Sequence, residues 1–161
     1  MYKITEVEDA ILATLSGDTT LAAYVKAFTP LPSLRQEALK KVIRQFPSIG
    51  IISTSGAYEQ GIGGRITETA RFSVICFNRN VRSPTAALRG VDLDAPASDS
   101  KGIWDMVEEC RDALLLSNLG LLTEDGAEVI NYCLAVSRRL IFSGDDFSAA
   151  ELEIEVAWDN L

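Results

Sequence analysis

RITETARFSVICFNR, Arg65 to Arg79, decides how this chain is read. Phe72, Val74 and Cys76 alternate with Arg71, Ser73, Ile75 and Phe77. Successive side chains of a strand point to opposite faces, so a period of two in β-branched and aromatic residues predicts a β-strand. In the second half both alternating sets are apolar, which calls for a cover on each face of the sheet. Helices are expected on one side. Ile75 and Phe77 on the other become candidates for contact with a neighbouring subunit.

Working outward toward the N-terminus, Gly56 to Gly64 contains four glycines and reads as a loop. Ser48 to Ser55 (SIGIISTS) before it reads as a short buried strand, so the two strands form a long hairpin. Its GIGGR segment invites comparison with a phosphate-binding loop. Such a loop ends in Lys and Ser or Thr, or leads into a helix. Here a strand follows and that lysine is missing, so the plainer use of glycine at a turn is favoured. As an extended tip, Gly61, Gly63, Gly64 and Arg65 are candidates to reach a neighbouring subunit.

Toward the C-terminus, Asn80 to Lys101 lacks periodicity, and a connection of that length is usually functional or mobile. Its Asp92, Asp94 and Asp99 do not match a calcium loop, because Pro96 interrupts the spacing and no terminal Glu follows. Asp99 or Ser100 is then expected to cap a helix running to Ser117, with Ile103, Val107, Cys110 and Leu114 as its inner stripe. A strand is expected between Val129 and Phe142, and Gly144, Asp145 and Asp146 form a turn. In the last strand, Ala149 to Trp158, Leu152, Ile154, Val156 and Trp158 face one way. Glu151, Glu153 and Glu155 face the other.

That acidic row carries two meanings. Adjacent carboxylates serve as acid and base where one pKa is raised, yet the outer face of an antiparallel strand explains them more simply. A further reading has the row line an aqueous channel or meet a basic partner. Arg138 and Arg139 are neighbours in sequence and so fall on opposite faces of a strand. Trp104 and Trp158 each sit in an apolar stripe and read as core.

The N-terminal part is read as two helices. Thr5 to Ser16 places Val7, Ala10, Ile11, Thr14 and Leu15 along one face, and Thr5 with Glu8 forms a capping box. Thr19 to Phe28 leans helical through its alanines, and TPLPS (Thr29 to Ser33) breaks it. Ser33 to Gln45 is the second helix, with Leu34, Ala38 and Val42 inward, closed by Pro47. The order predicts an α+β fold: a mainly antiparallel sheet of four strands or slightly more, with helices packed on one face.

With 161 residues, the chain is expected to be one domain, 1–161, with a long loop at about 80–101. A net charge of −8 opposes binding to nucleic-acid backbones or anionic membranes. The start of the chain lacks a signal-peptide pattern, and no run reaches the length of a membrane span. No histidine occurs, which removes Ser-His and Cys-His catalysis and, with no CxxC spacing, structural zinc. Cys76, Cys110 and Cys133 lie in apolar runs and are expected to be buried, reduced thiols. No cofactor is expected.

ETARFSVICFNRNVRS after GIISTSG resembles the Mu-like phage family of small tail proteins. The shared pattern includes an I-x-E-x-E-x-A-I helix (Ile4, Glu6, Glu8, Ala10, Ile11) and an R-F-x-V-x-x-x-x-R-N strand (Arg71, Phe72, Val74, Arg79, Asn80). A helix matched by Asp105 to Leu114 follows, and then the hairpin SRRLIFSGDDFSAAELEIEVAW. The chain departs from the pattern at Asn80–Lys101 and Thr19–Gln45. The resemblance extends to tail-terminator proteins and implies a non-enzymatic virion protein of the tail, assembled in the host cytoplasm. It implies a homo-oligomeric ring, six-fold, that caps the tail tube and presents a surface to the head–neck connector proteins. The tail-tube protein is its other implied partner. In such a ring the row Glu151, Glu153, Glu155 is a candidate to line the lumen, where like charge lets DNA pass without sticking. A neck or baseplate adaptor is the alternative within the virion. From another class stand a small-ligand-binding module and an enzyme using carboxylates on the last strand.

Overall fold

The computed structural model of the chain describes residues 2–79, 84–90, 101–144 and 146–160. Its helices are α1 (Ile4–Gly17), the single turn α2 (Thr19–Ala22), α3 (Gln36–Val42), α4 (Pro84–Arg89) and α5 (Ile103–Leu114). Its strands are β1 (Ala27–Pro30), β2 (Ser48–Gln60), β3 (Ile66–Asn78), β4 (Ile130–Ser143) and β5 (Ser148–Asn160). They form one sheet in the order β1-β2-β3-β5-β4. β1 runs parallel to β2, and the other neighbours are antiparallel. The sheet is therefore mixed and five-stranded, one strand larger than the antiparallel core of the expectation.

β3 lies at the centre, paired along its whole length with β5 and along nearly all of it with β2. Its period of two sorts the core. Phe72, Val74 and Cys76 join Leu152, Ile154, Val156 and Trp158 of β5 beneath α1 and α5, in the main cluster. From α1 come Val7, Ile11 and Leu15, and from α5 Ile103, Met106, Val107, Cys110 and Leu114. Burying a large aliphatic or aromatic side chain contributes about 1.5–3 kcal/mol, so these two stripes hold the helices on this face.

On the other face, Ile75, Phe77 and Ala149 lie under Leu31, Leu39, Ile43 and Phe147 in a second cluster. The Phe147 ring sits 5.0 Å from that of Phe142, 5.2 Å from Phe46 and 6.0 Å from Phe77. Helices thus pack on both faces, since α3 closes one end of the second. Ile75 and Phe77 are fully buried by the chain itself. Their two-sided pattern was a demand for cover, and α3 meets it without a neighbouring subunit.

Three local boundaries differ from expectation for identifiable reasons. In α1, the Lys3 N–H donates to Glu6 Oε2 at 2.6 Å, while Glu8 turns away and accepts from the Ser53 N–H at 2.7 Å. Glu8 is tied to a sheet edge instead of to the helix start. Between Thr19 and Pro30 the chain makes one helical turn, capped by Asp18 Oδ1 accepting from Thr20 and Leu21 at 3.0 Å, and then β1. Four residues are too few to show a strand period. In α3, Ser33 Oγ accepts from the Arg35 N–H at 3.1 Å, a turn that delays the helix to Gln36. The buried residues become Leu39 and Ile43, and Val42 is left partly exposed.

The stretch from Gly56 to Gln60 is strand, although its side chains are exposed. It is extended because β3 beside it is pinned by β5, an effect of pairing and not of its own pattern. The N-cap of α5 is Gly102, whose N–H donates to Asp105 Oδ2 at 2.9 Å. Asp99 and Ser100 lie outside the described residues. A Cβ on Gly102 would press into the backbone of Leu88, Arg89 and Gly90. Gly102→Ala is expected to cost about 1–3 kcal/mol by overpacking, read as a lower urea midpoint at unchanged slope.

All three cysteines are free and buried, with Cys76 Sγ and Cys110 Sγ 3.9 Å apart. The hydrogen bond with Cys76 and burial together push the Cys110 thiol up, and burial pushes Cys133 up to about 12. The Cys110 and Cys133 thiols therefore stay protonated at neutral pH, which makes them poor nucleophiles. Among the described residues, no helix is long and apolar enough to cross a membrane.

Candidate assembly surfaces

Beyond the cover of α3, the second face of the sheet turns polar, and its side chains come from β3, β5 and β4. Glu151, Glu153 and Glu155 do share that face, as their alternation with Leu152 and Ile154 dictates. None of them is a free carboxylate. Arg139, opposite Glu151 on β4, donates to it at 3.0 Å. Arg71, from β3 on the other side, reaches Glu153 at 3.4 Å and Glu155 at 3.2 Å. The Tyr132 hydroxyl donates to Glu155 at 3.0 Å.

The row is therefore one side of a charge ladder. Glu151 is only 3 % exposed, at the border of the apolar cluster under α3, which corrects its reading as a solvated residue. Its carboxylate holds the Arg139 guanidinium more firmly charged than usual. Arg138 points to the opposite face and pairs there with Glu108 of α5. The two arginines divide as strand geometry requires. Each carboxylate of the row thus has an arginine partner on a neighbouring strand.

At the end of the sheet, Asp159 gathers Arg65, Thr67 at 2.8 Å and Asn131 at 3.1 Å. Burial pushes its carboxyl up, but the hydrogen bonds from Asn131, Arg65 and Thr67 outweigh that and hold it below the usual carboxylate range. A lowered folded pKa adds stability above the unfolded value of about 3.9 and loses it as pH falls through the folded value. Asp159→Asn is expected to cost about 1–2 kcal/mol at pH 7. The gap from the parent should narrow in urea titrations as pH falls below the unfolded value of about 3.9 and through the lower folded value.

Arg65 also ends the β2–β3 tip. The Gly61 N–H donates to the Arg65 carbonyl at 2.7 Å, and Gly63 and Gly64 have φ of 81° and 82°. Those left-handed conformations favour glycine, which is the physical reason for the GIGGR sequence. The turn presents Ile62 fully to solvent, with Tyr58 75 % exposed on the strand leading to it.

One surface was not singled out from the sequence. Leu134, Val136 and Leu140 on the edge strand β4 are each 40 to 45 % exposed. Beside them Leu115 and Leu116 project from the end of α5, Leu116 with φ of 56° and its N–H donating to the Cys133 carbonyl at 3.1 Å. The available signal was CLAVSRRLIF, which is apolar on both alternations but covered on only one face. A groove of about 320 Å³ runs between α5 and β4, floored by Val107 and Leu152 and rimmed by Glu108, Arg111 and Arg138. At the opposite end, Tyr2, Leu122, Glu124 and Asp159 border a cleft of about 520 Å³. Among the described residues, no group of acidic and cysteine side chains is arranged to hold a metal ion. Asp92, Asp94, Asp99 and Asp145 lie outside them.

No curated protein matches the sequence. Among solved structures, a chain from the "Virion of native gene transfer agent (GTA) particle" superposes with a TM-score of 0.62 at 9 % identity. The match covers 99 % of this chain and 100 % of the other, so the whole fold is shared. The sequence profile described as Bacteriophage Mu, Gp37 matches residues 3–131. That span takes in α1, the central hairpin and α5, on which the resemblance in sequence rested in part; the last hairpin, Ser137 to Trp158, lies beyond it. The chain belongs to the Bacteriophage Mu Gp37 family.

Proposed function

We propose that this chain is a structural protein of a phage or prophage virion that ends the tail. Copies form a ring, six-fold, that caps the tail tube, stops its growth and offers a surface to the head–neck connector proteins. It assembles in the host cytoplasm and remains in the tail. The observation that carries this reading is membership of the Mu Gp37 family. The full-length likeness in fold to a chain of a gene-transfer-agent virion adds to it.

The surface chemistry supports a structural role. The charged clusters described above are neutralised within the chain, and the cysteines are buried. Exposed instead are an apolar edge and a glycine tip, the features through which subunits meet. If the second face lines the ring, Glu153 and Glu155, each about one quarter exposed, are the members of the row that reach the lumen. Arg71 between them tempers their charge. Gly61, Gly63, Gly64 and Arg65 are proposed to touch a neighbouring copy or the tube.

The test is polymerisation of the tail-tube protein with and without the purified chain. Substoichiometric addition is expected to halt elongation, leaving tubes with extra density at one end in negative-stain images. Tubes that lengthen at the same rate would overturn the terminator role.

A further inference from the structure

We propose that copies of this chain join edge to edge, the β4 edge of one copy taking the far half of β2 of the next as an antiparallel neighbour. This deepens the ring reading and rests on it for closure. Both edges belong to the same sheet, at its two opposite sides. On β2, β1 covers Ser48–Ile51 and Glu8 takes the Ser53 N–H, but Ser55–Gln60 have no strand beyond them among the described residues. On β4, Leu116 takes the Cys133 carbonyl, after which Leu134–Leu140 are likewise open.

Strand direction makes the two edges fit. β2 and β5 run one way, β3 and β4 the other. A second copy in the same orientation therefore brings its β2 antiparallel to β4, and the alternation continues unbroken from copy to copy. Contact between two different surfaces of one chain is heterologous, the kind that generates rings. β4 carries Arg138 and Arg139, each paired within its own copy, and no acid, whereas β2 carries Glu59 and no base. Each has exposed apolar side chains to bury, Leu134, Val136 and Leu140 on one and Tyr58 on the other.

Level placement does not work. Leu140, Ala150, Cys76 and Ile49 lie in one row across the sheet, so it would set Arg138–Leu140 of β4 against Ile49–Ile51 of β2, which β1 covers. The neighbour must slide by about six residues, roughly 20 Å along the strands. A stagger of one sense at every joint is what a sheet needs to curl closed. Bulges ordinarily blunt an edge. On β4 they leave Ser137–Leu140 in regular register, and the middle one falls at Val136, which is 45 % exposed beside the groove.

Two single variants, Ala57→Cys and Ser137→Cys, place exposed thiols on the second face of the two edges, while the native cysteines are buried. Mixed and treated with a short bismaleimide, they should give a covalent dimer that neither variant gives alone. Val136→Lys and Tyr58→Lys should each raise the concentration for assembly at least tenfold by light scattering, with circular dichroism unchanged. Assembly without the mixed cross-link, and unaffected by both lysines, overturns the edge joint while leaving the ring standing. A parent chain that stays monomeric even beside tail-tube protein overturns both.

Discussion

Glu151→Lys is expected to destabilise the fold by about 3–5 kcal/mol, enough to leave much of the chain unfolded at 37 °C. Glu151 is 3 % exposed and faces Arg139 across the β4–β5 ladder. Lysine there removes the carboxylate bonded to that guanidinium and adds a second cation beside it. The opposite flank is Ile75 on β3, which offers no polar group. Glu151→Gln keeps the shape and an acceptor, so its cost should be about 1–2 kcal/mol. Chemical denaturation of the two variants measures both numbers. Equal, small costs would show that the Glu151–Arg139 pair does not shape this part of the sheet. Reversing all three glutamates at once would thus report folding before it reported the lumen. Glu153→Lys and Glu155→Lys, at partly exposed positions beside Arg71, are the cleaner probes.

Trp158→Ala is expected to cost about 3–5 kcal/mol. For a chain of this size that lowers the melting temperature by roughly 6–20 °C. Trp158 is fully enclosed on the helix face of β5, between Glu68 on β3 and Ile130 on β4. Its indole N–H has no partner among the described residues. Trp158→Phe should accordingly be mild, within about 1 kcal/mol, since the lost area is offset by removal of an unpaired buried donor. Scanning calorimetry of the pair separates volume from hydrogen bonding at this position. A Phe variant as unstable as the Ala variant would mean that the N–H is bonded after all.

The parts of the fold that could be read from the sequence are those whose pattern is local. β3, β5 and α5 carry alternation or a helical stripe strong enough to fix their faces, and Leu152, Ile154, Val156, Ile103, Val107, Cys110 and Leu114 are all inward as the period demands. β1 and the far half of β2 were not legible, because a four-residue strand shows no period and Gly56–Gln60 is extended only through its partner. α3 was misphased by one residue, which moved Leu39 and Ile43 inward and Val42 outward. That helix is also why Ile75 and Phe77 are closed to other subunits. The acidic row was legible as a face but not as a ladder, since its partners Arg71 and Arg139 come from strands far away in sequence. Resemblance supplied the family, which the profile over residues 3–131 then established; periodicity alone would have ended at an α+β sheet.

A chain that ends the tail, as proposed, sits at one place in the particle. Electron cryomicroscopy of the particle that carries it tests this directly. The fold of β2, β3, β5 and β4 is expected to dock as a closed ring of copies at the head-proximal end of the tail tube. Density for this fold at the baseplate, or as single copies away from the tube end, would contradict it.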